Sequence, residues 1–155
     1  MRVIIEGADG SGKSTLAQKL KEHYGDVDVV HMRGRDVMTF QFLYEILDKQ
    51  SVVWDRHFIS ERIYSEFYNL PYRITKGQER VLAQKCIDQD IPILVCIPKQ
   101  HKVMECEDED IKERHDSLVG AYREVSGRLG LVPIDPFTMS LEEIVSLIEK
   151  HEWRV

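Results

Sequence analysis

Gly7-Ala8-Asp9-Gly10-Ser11-Gly12-Lys13-Ser14 spells G-x-x-x-x-G-K-S/T, directly after a β-branched run and directly before a helical pattern. At ordinary residue usage these four fixed positions coincide by chance in roughly one chain in 200 of this length. Glycines at this spacing let successive backbone N–H groups turn inward as an anion nest, and a helix N-terminus adds partial positive charge. Gly10, Ser11, Gly12, Lys13, Ser14 and Thr15 are therefore read as a cradle for the phosphates of ATP. Lys13 reaches the β- and γ-phosphates and Ser14 holds Mg2+.

A second constellation is Val52-Val53-Trp54-Asp55-Arg56-His57, an apolar strand that ends in a carboxylate and an arginine. At the C-terminal edge of a parallel sheet both side chains face the crevice that holds the loop. Asp55 can then hold or orient Mg2+ through water, and Arg56 can lie across transferring phosphates. The plainer reading is a solvated ion pair at a strand end.

Arg33 and Arg35 flank Gly34 after the second strand pattern, where a guanidinium fork fits a phosphate. A monophosphate acceptor is already an anion near pH 7, because its second pKa is about 6, so it needs charge neutralisation and alignment rather than a base. A hydroxyl acceptor needs a carboxylate base. Asp36 keeps that alternative open, although it also suits the cap of the following helix.

These groups need a scaffold, and the hydrophobic pattern supplies one. Val3–Ile5, Val27–His31, Val52–Trp54, Ile93–Ile97 and Leu131–Ile134 read as buried strands. Between them, Leu16, Leu20 and Tyr24 predict a helix that stops at Gly25. Phe40, Leu43, Tyr44 and Leu47 predict a second core stripe, Val81, Leu82 and Cys86 another, and Leu118, Tyr122, Val125 and Leu129 another. A helix starting near His57 places Ser60, Tyr64 and Phe67 along one face. Ser140 and Glu143 form a capping box ahead of Leu141, Ile144, Val145 and Ile148. Strands alternating with helices imply an α/β fold with a parallel sheet covered on both faces.

The chain has 155 residues, the size of one domain, so residues 1–155 are expected to form a single unit. With 21 Lys and Arg against 27 Asp and Glu, its net charge of −6 argues against extended nucleic acid as a partner and makes any phosphate binding local. Cys86, Cys96 and Cys106 lack metal or disulfide spacing. No apolar run reaches the length of a membrane span. Both features point to a cytoplasmic protein. The only asparagine, Asn69, is followed by Leu70, so the guanine-reading Asn-Lys-x-Asp segment of switch GTPases is absent.

The chain resembles the thymidylate kinase branch of the nucleoside monophosphate kinases. Ile5-Glu6-Gly7-Ala8-Asp9-Gly10-Ser11-Gly12-Lys13-Ser14-Thr15 is similar to that family's opening, and Asp55-Arg56-His57, Ser60 and Tyr64 follow its second signature. Val132-Pro133-Ile134-Asp135 and the helix after it resemble the last strand and helix. The match is nearest to the compact thymidylate-kinase-like proteins of tailed bacteriophages. The resemblance implies a P-loop fold with five parallel strands in the order 2-3-1-4-5, ATP as donor with Mg2+, and a deoxynucleoside monophosphate as acceptor; the homodimer that larger relatives form stays open for this chain. It implies that Asp9 contacts the deoxyribose 3′-hydroxyl and that Tyr64 packs against the 2′ edge of the sugar. As residue types alone, Asp9 also suits a turn and Tyr64 also suits core packing.

Two departures matter. The family's segment after strand two is replaced by His31-Met32-Arg33-Gly34-Arg35-Asp36, and its arginine-rich lid by Glu105–Glu113, six acidic residues in nine. A short lid is therefore placed around residues 103–115, with Lys112 and Arg114 as its cations. Arg73 either reaches the acceptor or lies on the surface. Phe40, Phe42 and Tyr44 offer a stacking face for a base, with Tyr44 better suited to the core, and His57 can hydrogen-bond near the site. Two other readings stay open: a kinase for a hydroxyl acceptor, either a deoxynucleoside or a hydroxymethylpyrimidine or 5′ end in DNA, and a module that senses ATP without turnover.

Overall fold

The β-branched runs form the strands of a central sheet: β1 Arg2–Gly7, β2 Asp28–His31, β3 Val52–Asp55, β4 Ile93–Cys96 and β5 Pro133–Ile134. The computed structural model describes residues 1–32, 39–71, 74–99 and 109–155. The strands pair in parallel in the order β2-β3-β1-β4-β5, as the resemblance implied. Register brings the chemistry together, because Asp55 at the end of β3 lies opposite Ile5 of β1 on one side and His31 of β2 on the other.

The helices are α1 Lys13–Tyr24, α2 Thr39–Asp48, α3 Phe58–Phe67, α4 Lys76–Asp88, α5 Glu109–Leu129 and α6 Leu141–Glu149. Right-handed crossovers put α1 and α2 on opposite faces. Accordingly α1 packs on β1, β2 and β3, while α2 and α3 meet α4, and α3 meets α5. Among the described residues, Trp54, Phe42, Phe58, Tyr122 and Trp153 are the bulkiest fully buried side chains. Glu79 of α4 is buried as well, held by Arg62 of α3 and Arg128 of α5, so one carboxylate ties three helices together.

Helix ends follow local chemistry. α1 stops at Gly25, which takes φ 80°. Ser140 caps α6 as expected, with Glu143 N donating to its hydroxyl at 3.1 Å and Ser140 N to the Glu143 carboxylate at 2.7 Å. Thr75 and Gln78 form an unanticipated second capping box on α4.

Three expectations are corrected. In α2 the buried pair is Phe42 and Ile46, whereas Tyr44 and Leu47 are 60% and 51% exposed. The segment Phe40-Gln41-Phe42-Leu43-Tyr44-Glu45-Ile46-Leu47 is apolar around most of its circumference, so periodicity does not select the face; packing against α4 and the His57 ring does. Val81 is exposed for a simpler reason: Leu82, Ala83, Cys86 and Glu79 already fill the inner face of α4. The last strand is two residues long because Leu131 bridges antiparallel to Arg154, and Val132 N donates to the Trp153 carbonyl at 2.9 Å.

Candidate active site

The loop between β1 and α1 is built as its glycines require. Gly10 and Gly12 adopt φ 75° and 85°, in the left-handed region. A Cβ on Gly12 would also lie 3.2 Å from both Phe137 and Pro136. No side chain caps α1 and its first turn carries no acidic residue, so its N–H groups face the loop as donors for an anion. Lys13 is 5% exposed. Its Nζ donates to the Ala8 carbonyl at 3.1 Å and lies 4.0 Å from the Asp9 carboxylate. Burial lowers the Lys13 pKa, Arg56 lowers it further, and Asp55 and Asp9 oppose both.

Ser14 points from the first turn of α1 to the end of β3, where its hydroxyl donates to Asp55 Oδ2 at 2.6 Å. His31 Nδ1 lies 3.0 Å from the same oxygen, a neighbour that the sheet register supplies and no motif announced. Among the described residues no group of three or more His, Cys, Asp or Glu could hold a metal ion. The Ser14 hydroxyl and Asp55 carboxylate are nonetheless hard oxygen donors, and they suit Mg2+, which takes its remaining ligands from phosphate and water.

Arg56 follows Asp55 with φ 71°, a conformation that costs an L-residue about 1–2 kcal/mol. Its guanidinium pairs with Asp9, sits 5.0 Å from the centre of the Tyr64 ring and lies 3.5 Å from the Tyr64 hydroxyl. The Tyr64 hydroxyl in turn lies 3.4 Å from Asp9. Burial pushes the Tyr64 pKa up to about 12, so the phenol stays protonated. Tyr64 is half-buried, its side chain packed against the edge of the core while its hydroxyl lies near Arg56 and Asp9. Asp9, Arg56 and Tyr64 thus form one cluster at the mouth of the loop.

Glu6 is the residue that the sequence reading passed over. It is fully buried, and its carboxylate accepts the N–H groups of His57 (3.1 Å), Ile59 (3.0 Å) and Ser60 (3.2 Å) together with the Ser60 hydroxyl. The signal was a lone acid inside an apolar strand. His57 itself is corrected: it is buried edge-on to Phe42, Trp54 and Phe58 rather than facing the site. Burial drives its pKa down to about 3, and the ring is neutral.

On the far side of the loop, α5 brings His115 Nε2 to 2.9 Å from the Asp9 carbonyl. Residues 109–115 of the expected lid are the first turns of this helix, and Arg114 is exposed. The side chain of Lys112 lies outside the described residues, as do Arg33, Arg35, Asp36 and Arg73 in full. A groove of about 100 Å3 runs beside the loop between Gly12, Thr15 and Lys19 and the segment Pro136-Phe137. Asp135 shapes that segment by accepting the N–H groups of Lys99 at 2.9 Å and Phe137 at 3.0 Å.

The fold recurs in solved structures. The chain matches the YorR protein of Bacillus subtilis, solved in complex with phosphorylated GDP, over 98% of both chains with 24% identity and a TM-score of 0.74. It matches the deoxyadenosine kinase of M. mycoides with bound dCTP at 13% identity and TM-score 0.56, covering 98% of this chain and 99% of that one. It matches the thymidylate kinase of Candida albicans at 13% identity and TM-score 0.57, over 98% and 92% of the two chains. No family model and no curated protein sequence matches the chain. The chain has the α/β fold of the P-loop nucleoside and nucleotide kinases.

Proposed function

We propose that the protein is an ATP- and Mg2+-dependent kinase that phosphorylates a deoxynucleoside monophosphate, thymidylate-like in its sugar and charge, to the diphosphate. The observation that carries this reading is the convergence of Lys13, the Ser14–Asp55 pair and the Asp9–Arg56–Tyr64 cluster on one mouth. One side of that mouth suits a triphosphate and the other suits a sugar phosphate.

In the proposed reaction the nest of N–H groups at α1 binds the β- and γ-phosphates, and the donor base lies in the groove beside Phe137. Mg2+ held through Ser14 and Asp55 would neutralise charge between the phosphates. An oxygen of the acceptor phosphate forms the new P–O bond to the γ-phosphorus while the bond to the β-phosphate oxygen breaks, giving two diphosphates. Lys13 and Arg56 stabilise the equatorial charge. Arg33 and Arg35 hold the acceptor phosphate, Arg73 assists, and Lys112 or Arg114 completes the site when the lid closes.

The likeness to deoxyadenosine kinase favours a second reading, transfer to a nucleoside hydroxyl. That reaction needs a carboxylate base. Among the described residues Asp9 is paired with Arg56, Asp55 with Ser14 and His31, and Glu6 with the start of α3. A monophosphate acceptor needs no base, so it fits this mouth better.

ATP consumption measured against deoxynucleosides, deoxynucleoside monophosphates and short oligonucleotides tests the proposal. Turnover is expected with monophosphates only, and Lys13→Ala is expected to lower kcat about 10²-fold, the scale of one lost electrostatic donor. Turnover with nucleosides or oligonucleotides would establish the hydroxyl reading instead. Tight ATP binding with no turnover on any acceptor would identify a nucleotide sensor.

A further inference from the structure

The conformation of Arg56 is fixed from two sides, and both anchors belong to the strand that launches the phosphate loop. On one side Arg56 N donates to the Ile5 carbonyl at 2.9 Å. On the other, the three N–H groups that follow at His57, Ile59 and Ser60 converge on the Glu6 carboxylate. Ile5 and Glu6 are consecutive residues of β1, immediately before Gly7.

We propose that Glu6 is a positioning residue, whose buried carboxylate grips the first turn of α3 and thereby aims Arg56 at the phosphate loop. The inference rests on the proposed phosphoryl transfer, in which Arg56 acts on the transferring group. Capping α3 alone does not require this arrangement. The N-cap residue of α3 is His57, whose side chain makes no cap bond, and a Ser or Asp at that position would serve a helix end without burying a charge. What the distant acid adds is a rigid link between loop and turn. Left-handed backbone in an L-residue persists only where its surroundings over-determine it, and here they do so at the residue that must point into the site.

The link extends further. Ser60 shares a 2.7 Å hydrogen bond with the Tyr122 hydroxyl of α5, the helix that carries His115 to the loop. Glu6 is thus the common acceptor at the junction of β1, α3 and, through Ser60, α5. Burial pushes its pKa up to about 7, and the hydrogen bonds from Ser60 and Ile59 pull it the other way.

The test is a double-mutant cycle between Glu6→Gln and Arg56→Ala, read as kcat and as KM for ATP. Glu6→Gln is expected to lower kcat by about tenfold or more with KM changed less than twofold, since a misplaced cation costs transition-state stabilisation first. In the Arg56→Ala background the same change is expected to cost less than twofold in kcat. Equal losses in both backgrounds would show that Glu6 supports the protein generally and would overturn the inference. Should Glu6→Gln fail to fold, Ser60→Ala replaces it in the cycle with the same two outcomes. A crystal structure of the variant gives a reading independent of activity: Arg56 displaced from Asp9 and Tyr64 supports the inference, and an unmoved Arg56 overturns it. A wild type that transfers phosphoryl to no acceptor would defeat the proposed function, and the structure of the variant would still decide the role of Glu6.

Discussion

Ser14 and Asp55 are 41 residues apart in sequence, and the Ser14 hydroxyl donates to Asp55 Oδ2 at 2.6 Å. The bond ties the first turn of α1 to the end of β3 and points two oxygens at the same space. If these oxygens share one cation, Asp55→Asn should keep the fold, since the amide is isosteric, and raise the Mg2+ concentration for half-maximal activity by about tenfold, the lower end of what a metal-site partner contributes. Activity titrated against Mg2+ checks this. An unchanged requirement would place the cation elsewhere.

Much of this site was legible because its parts are local. The G-x-x-x-x-G-K-S/T loop is contiguous, and its context of strand before and helix after is written in the hydrophobic pattern, so Lys13 and Ser14 fell where expected. Asp55-Arg56 was readable because strand ends at one sheet edge share a crevice. The contributions of Glu6, His31 and His115 were not legible, because each depends on tertiary neighbours: a helix start more than fifty residues away, the register of an adjacent strand, and the approach of α5. The face of α2 was misread for the opposite reason, an excess of apolar residues in which the stripe through Tyr44 looked like the core face while Phe42 is the residue buried. A single buried histidine can be polar furniture or a ligand, and only the ring contacts of His57 with Phe42, Trp54 and Phe58 decided between them.

The contact of His115 with the Asp9 carbonyl brings the first turns of α5 to the loop, and Lys112 and Arg114 lie within one turn of it. A cation delivered by this helix would complete the charge around a transferring phosphate only on closure. Replacing both Lys112 and Arg114 by alanine should then lower kcat by about tenfold or more while leaving ATP affinity nearly unchanged. Full kcat in the double variant would leave Lys13 and Arg56 as the working cations and make the acidic segment before them a solvated one.

Tyr64 offers a test of sugar selectivity. Its ring lies beside the Arg56 guanidinium and its hydroxyl near Asp9, so it can limit the space at the 2′ edge of a bound sugar. Excluding one small group is worth about 1–3 kcal/mol, or 10- to 200-fold in kcat/KM. Tyr64→Ala is expected to narrow the ratio of deoxyribonucleotide to ribonucleotide kcat/KM by about tenfold or more. Tyr64→Phe should keep the ratio, because the ring and not the hydroxyl fills that space. A ratio unchanged in Tyr64→Ala would remove the tyrosine from sugar recognition.

Glu6 makes a separate prediction about stability, distinct from its effect on Arg56. Burial raises its folded-state pKa to about 7 from an unfolded value of 4.5, with the hydrogen bonds from Ser60 and Ile59 pulling the other way. The sign follows from proton counting. Between pH 4.5 and 7 the folded protein holds this proton and the unfolded chain does not, so raising the pH through that window destabilises the fold. The full effect is about 3 kcal/mol, absent below the window and complete above it. His57, with its pKa driven down to about 3, contributes the opposite slope, but it does so in wild type and Glu6 variants alike and cancels in the difference. The stability of Glu6→Gln relative to wild type should therefore improve as pH rises from 4.5 to 7, whatever the absolute cost of placing an amide among those donors. Urea unfolding of both proteins across this range checks it. A difference independent of pH would mean that the carboxylate is ionised throughout, with its four donors outweighing burial.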